Sequence, residues 1–206
     1  MVKPAMEVRF SLPPALASSW FARRLPAFTR KHPGIELHLN ATVDPVRLGS
    51  EAFDIAVRHF DGNDPHLDVH LLLKEEVRVY CSPDYQERLN LFQADNLAGA
   101  TLLYTTSHAY WSRWLALMGM SFDGMARGLR FDQSELAIVA ASRGQGLVLT
   151  SPWLVEDDVA KGRLIQLFPK GLTTGKNYYV VTSPEAVLGE AAQLFHDWLV
   201  QSDLDI

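Results

Sequence analysis

Polar and apolar positions alternate with a period of two from Met6 to Leu12. Val8, Phe10 and Leu12 fall on one face and Glu7, Arg9 and Ser11 on the other, which predicts a strand. Pro13-Pro14 breaks it, and the apolar spacing then lengthens to that of a helix. Leu16, Trp20, Phe21, Leu25 and Phe28 share one side, while Arg23, Arg24, Arg30 and Lys31 occupy the other. Pro26 lies inside this helix, where it lacks a backbone donor and crowds the carbonyl of Ala22, so a kink is expected there. His32-Pro33-Gly34 stops the helix. Ile35, Leu37 and Leu39 then alternate with Glu36 and His38 in a second strand.

The same alternation of elements continues. Asp44-Pro45 offers a cap followed by proline, predicting a short helix to about Glu51. The run Phe53-Asp54-Ile55-Ala56-Val57-Arg58 reads as a buried strand of a parallel sheet. Asp61 to Pro65 is a loop, Leu67 to Val79 supplies further strand, and Ser82-Pro83 starts a helix. Leu102 to Tyr104 is a strand, followed by a helix containing Tyr110, Trp111, Trp114 and Leu115. Asp132 and Glu135 have the spacing of an acidic capping box for a helix that ends near Gly144. Gly146 to Thr150 is a strand, Ser151-Pro152 opens a helix ending at Gly162, and Tyr178 to Val181 is a strand. Pro184 to Val200 has the strongest helical spacing, through Val187, Leu188, Ala191, Leu194, Phe195, Trp198 and Leu199. Strands alternating with helices imply an α/β architecture.

Composition narrows the function classes. The chain has 206 residues, enough for one large domain or two small ones, and 48% of them are hydrophobic, ample for buried cores. No apolar run reaches the roughly 20 residues that span a bilayer. The first residues lack the apolar stretch of a secretory signal, so no membrane partner and a cytoplasmic location are expected. A net charge of −5 does not suggest a nucleic-acid surface. The nearest candidate, Arg23, Arg24, Arg30 and Lys31, reads as the solvated face of the first helix.

No motif for catalysis, metal or cofactor emerges. Gly144-Gln145-Gly146 follows a helix and precedes a strand, the reverse of a nucleotide-binding loop. His59, His66, His70 and His108 do not have the helical spacing of a metalloprotease pair, and no Gly-x-Ser-x-Gly elbow occurs. Cys81 is the only cysteine, which excludes an intrachain disulfide and a cysteine-based zinc site. In an apolar strand it is expected to be buried and inert.

From about residue 7 to residue 200 the chain resembles the effector-binding domain of LysR-type transcriptional regulators, in the branch of the glycine-cleavage activator and the β-lactamase regulator. The opening helix with His32-Pro33-Gly34 carries this resemblance, together with Phe53 to Arg58 and Cys81-Ser82-Pro83. So do Phe131-Asp132-Gln133-Ser134 with Gly144-Gln145-Gly146, and Tyr178 to Val181 with Phe195-His196-Asp197-Trp198-Leu199.

The family implies two Rossmann-like subdomains joined by two crossing strands, a type 2 periplasmic-binding-protein-like fold. Subdomain I would be residues 1–78 and 179–206, and subdomain II residues 79–178. The family's N-terminal winged helix-turn-helix is absent from this chain, so DNA would be a partner only through that missing part. The resemblance also implies a homodimer, possibly a tetramer at full length, pairing the first helix of one copy with the helix Gln133–Ser142 of the other. Because this helix is rich in large apolar groups and kinked at Pro26, not all of Trp20, Phe21, Leu25 and Phe28 need face its own sheet; the alternative is that all four are core and the isolated domain is monomeric.

A cleft between the subdomains would bind a small effector, with Ala15, Leu16, Arg47, Gln133, Ser134 and Tyr178 at its border. Where the branch has a hydroxyl on the loop entering the first helix, this chain has Ala15, leaving the amides of Ala15, Leu16 and Ala17. Arg47 stands where related regulators often carry Asp, which favours an acidic effector. Ser134 either donates to that effector or satisfies local backbone. Tyr178 either closes the cleft or is an aromatic of the crossing strand, and Asp132 is expected to cap its helix. The expected function is non-enzymatic sensing. The rivals are a small α/β hydrolase or transferase using a cleft histidine or Cys81, and a solute-binding protein, which the missing signal peptide disfavours.

Overall fold

The structure, a computed structural model, describes residues 6–49, 53–92, 94–120 and 128–201. The chain folds into two compact units, Met1–Lys74 with Gly175–Ile206, and Glu75–Thr174. The crossings therefore fall at Lys74/Glu75 and Thr174/Gly175, which puts Tyr178 in the first unit and Arg78 in the second.

Unit 1 is built on a five-stranded sheet of order β2-β1-β3-β11-β4. Its strands are β1 (Met6–Leu12), β2 (Ile35–Ala41), β3 (Ile55–Phe60), β4 (Asp68–Leu73) and β11 (Asn177–Thr182). Strands β2 and β3 run parallel to β1, whereas β11 is antiparallel to both β3 and β4. The apolar positions of β1 are fully or almost fully buried, as their period of two predicts. Phe10 meets the aromatic rings of Phe21 and Phe195, and Phe28 packs on Phe195 and Trp198, so a cluster of rings fastens the first and last helices to the sheet.

The first helix is continuous: α1 (Pro14–Leu16), a π-helical turn at Ala17–Phe21, and α2 (Ala22–Lys31). Its departure from α geometry lies just upstream of Pro26, where the Ala22 amide reaches back to the Ala17 carbonyl. Side chains add bonds to this helix's backbone: Ser18 Oγ donates to the Pro14 oxygen at 3.2 Å and Arg24 Nη1 to the Trp20 oxygen at 3.0 Å. Trp20, Phe21 and Phe28 are buried inside this unit, and of the four only Leu25 is half-buried and so left partly uncovered.

Two other expectations need correcting. Residues 45–49 form no helix after Asp44-Pro45. Instead Leu48 bridges Phe53, Gly49 takes a positive φ of 121°, and its amide donates to the Phe53 oxygen at 3.0 Å. The expected end at Glu51 lies outside the described residues. The last helix, α7 (Glu190–Gln201), begins later than Pro184, so Val187 and Leu188 precede it, and Val187 is 98% exposed. Gly189 sits at the actual boundary, and its oxygen accepts the Gln193 amide at 2.9 Å.

Unit 2 carries a second sheet of order β10-β5-β8-β6-β7, with β9 also on β5. The strands are β5 (Glu76–Cys81), β6 (Leu102–Thr105), β7 (Gly128–Phe131), β8 (Leu147–Thr150), β9 (Ile165–Gln166) and β10 (Leu172–Thr173). Here β6, β7 and β8 are mutually parallel and β5 is antiparallel to β8. The helices are α3 (Pro83–Leu89), α4 (Trp111–Leu117), α5 (Ser134–Ser142) and α6 (Pro152–Ala160), with a 3-10 turn at Ala94–Gly99. Ser82 caps α3 as expected, its Oγ accepting the Tyr85 amide at 3.2 Å, and Gly144 follows α5 at a φ of 70°. Trp111 and Trp114 enter the core of Val77, Val79, Leu102, Leu147 and Leu149, and Trp111 Nε1 donates to the Leu103 oxygen at 3.0 Å.

Candidate functional site

Parallel strands bring their carboxyl ends to one edge, where the following loops and helix starts offer backbone donors to a ligand. In unit 1 that edge is formed by β1, β2 and β3. Ala15 and Leu16 follow β1 directly and both side chains are buried, so only their backbone can meet a ligand. The Ala17 amide is engaged, donating to the Pro13 oxygen at 2.9 Å, and drops out of the expected set. Arg47 is exposed on the segment after β2, its own oxygen accepting the Phe53 amide at 3.2 Å. Tyr178 lies in β11 opposite His59 and against that ring at 4.8 Å, with only 2% of its surface exposed.

Arg58 is a residue of this edge that sequence reasoning did not single out. Its strand was legible, but its role was not, because the partner side chain comes from β1. Nη2 donates to Ser11 Oγ at 2.9 Å and Nη1 to the Val57 oxygen at 2.7 Å. Ser11 is fully buried and Arg58 half-buried. Burial lowers the Arg58 pKa, and the Asp44 charge works in the opposite direction.

In unit 2 the carboxyl edge consists of Thr105, Phe131 and Thr150 and the loops beyond them. The Thr106 hydroxyl donates to the Asp132 oxygen at 3.1 Å, tying two of those loops together. Asp132 does not cap α5: the N-cap is Gln133, whose side chain makes no cap hydrogen bond. The reason is register, since the strand β7 ends at Phe131 and helical geometry begins only at Ser134. The first-turn amides of a nine-residue helix are thereby left without a side-chain cap, beside a Ser134 that is 7% exposed. This is a start suited to an anion.

At the same edge His108 and Glu75 form a buried pair at 3.0 Å, and the His108 amide donates to Thr105 Oγ1 at 3.2 Å. No sequence signal links a glutamate at a crossing to a histidine beyond β6. Ser134 and Gln133 thus belong to one unit, and Ala15, Leu16, Arg47 and Tyr178 to the other.

For metal chemistry, unit 1 brings ligating atoms of Glu7, Glu36 and His38 within 4.8 Å of one another, all on exposed side chains where water competes. Cys81 is fully buried and burial pushes its thiol up to about 12, so it is neither a thiolate ligand nor a nucleophile near neutral pH. Among the described residues, no helix is long and apolar enough to cross a membrane.

The model of the LysR substrate binding domain matches residues 3–203. The chain belongs to the LysR substrate binding domain family. Its relatives include the HTH-type transcriptional regulator PerR of Escherichia coli, 30% identical over 198 residues, covering 94% of this chain and 65% of PerR. The glycine cleavage system transcriptional activator of the same species is 29% identical over 192 residues, covering 92% and 63%. This LysR domain therefore spans a little under two thirds of either relative.

Its fold is that of solved LysR effector domains. The effector domain of AmpR from Pseudomonas aeruginosa superimposes with a TM-score of 0.82 at 22% identity, covering 95% of this chain and 94% of that one. The AmpR effector binding domain of Citrobacter freundii gives 0.83 at 19% identity, covering 95% and 96%. The architecture is thus the type 2 periplasmic-binding-protein-like fold, with its two α/β units.

Proposed function

We propose that this LysR domain is a non-enzymatic sensor of a small anionic molecule that, in the whole protein, governs a DNA-binding part in the cytoplasm. The family match over residues 3–203 carries this reading, and relatives named as transcriptional regulators support it. The candidate effector contacts are Ala15, Leu16, Arg47 and Tyr178 in unit 1, and Gln133 and Ser134 in unit 2. The uncapped start of α5 supports an anion there. Effector binding changes output by favouring one arrangement of the units or copies over another, through differential affinity.

The domain works as a homodimer, tetrameric when joined to the rest of the protein. The surface that supports this is α5: Leu136 is 54% and Val139 45% exposed, although its other face already fills the core. A helix apolar on both faces needs a second cover. Edge strands with outward Leu39 and Leu129 add to the apolar surface of their respective units.

Mass spectrometry of the natively purified protein should identify a co-purified anion. Calorimetry should then show that Ser134→Ala and Arg47→Ala each weaken its binding by roughly 1–3 kcal/mol. Conversion of that molecule, or of common ester and phosphate substrates, would instead favour the hydrolase or transferase reading.

A further inference from the structure

Arg58 is a cation drawn partly out of water on the sheet of unit 1. It lies two residues beyond Ala56, which pairs with Ser11, so Arg58 and Ser11 share one face of the sheet. Asn40, opposite Ser11 on β2, and Tyr179, opposite Arg58 on β11, extend this polar face. The guanidinium is fixed by two acceptors, Ser11 Oγ and the Val57 oxygen, and both are neutral. Among the described residues no carboxylate forms an ion pair with it, and Asp44 acts on it only at longer range. A guanidinium stays protonated whatever the burial, so a half-buried one without an anion beside it is costly.

We propose that Arg58 anchors the carboxylate of the effector through the outer edge of its guanidinium, with Ser11 holding the group in place. The proposal rests on the effector-sensing reading and adds to it the ligand class and the residue that selects it. A single monoanion suits one cation with Asp44 nearby, whereas a dianionic phosphate would meet repulsion there. Arg58 also suits the task better than Arg47. Arg47 is exposed, so an anion on it is screened by solvent, while Arg58 is already immobilised by two hydrogen bonds.

The test is a nuclear magnetic resonance titration with acetate, using acetamide as the neutral isostere at ionic strength fixed with chloride. Acetate should shift the Arg58 Nε–Hε and Ser11 amide signals saturably, and acetamide should not. Arg58→Gln should weaken acetate binding about tenfold or more, with Arg58→Lys recovering part of the loss. Ser11→Ala, which keeps the charge, should weaken it by a smaller factor and serves if Arg58→Gln fails to fold. Unchanged acetate affinity in folded Arg58→Gln overturns the proposal, as do Arg58 shifts no larger than those of exposed Arg23 and Arg30. Shifts confined to the start of α5 also overturn it, while leaving the sensing reading standing. Turnover of a bound molecule would remove that reading separately.

Discussion

His108 Nε2 lies 3.0 Å from Glu75 Oε1, and neither residue exposes more than 3% of its surface. This buried hydrogen bond joins the imidazole to the carboxyl group. Glu75 is the first residue of unit 2 and Thr174 its last, and the Thr174 hydroxyl stands 3.5 Å from Glu75 Oε2. One carboxylate therefore ties together both chain crossings and the loop after β6. His108→Ala removes the imidazole from a carboxylate shielded from water and should cost about 3–5 kcal/mol in urea unfolding. Glu75→Gln, which removes the charge and keeps the size, should cost less. A loss below about 1 kcal/mol in His108→Ala would place the pair among ordinary surface contacts.

Tyr80 and Cys81 are neighbours on β5, and burial pushes both side chains up to about 12, from ordinary values of 10.0 and 9.0. The unfolded chain therefore loses these protons first as pH rises. Their contribution to stability is complete below pH 9 and declines from there to about pH 12. Denaturant midpoints should fall over that window, and Cys81→Ala should flatten the early part of the decline. In the native protein at neutral pH the thiol should resist a colorimetric disulfide reagent and react only after unfolding.

Leu136→Glu should shift the protein towards monomer in analytical ultracentrifugation, raising the dimer dissociation constant about tenfold or more. Leu136 is exposed within its unit, so the helical content of the variant should be unchanged. Dimers of undiminished stability in this variant would move the proposed interface away from α5.

Ser82→Ala removes the acceptor for the Tyr85 amide at the start of α3, where Pro83 already fits the first helical position. A stability loss of about 1 kcal/mol is expected in thermal unfolding. The buried hydroxyl also lies close to Gly144, so Gly144→Ala should destabilise the protein through its positive φ as well as by crowding Ser82.

What the sequence determined by itself is local in its physics. A period of two wrote β1 and a cap followed by proline wrote α3, because strand faces and helix starts depend on residues a few positions apart. The family resemblance rested on the order of such pieces, and it survived where single pieces failed. Asp44-Pro45 carried a valid start signal, yet a local bridge between Leu48 and Phe53 took the segment instead. Pro184 likewise signalled a helix whose first turn Gly189 delays to Glu190.

Long-range contact decided the rest. The sequence left open which of Trp20, Phe21, Leu25 and Phe28 face their own sheet, and contacts with Phe10 and Phe195 decided it for Phe21 and Phe28. Asp132 had the spacing of a cap, but helical geometry begins only at Ser134, which puts Gln133 at the cap position instead. Arg58 on Ser11 and His108 on Glu75 join residues 47 and 33 positions apart, distances over which sequence spacing carries no information. Only chain packing brings such groups together, since burying a charge is tolerable only where folding supplies its partners.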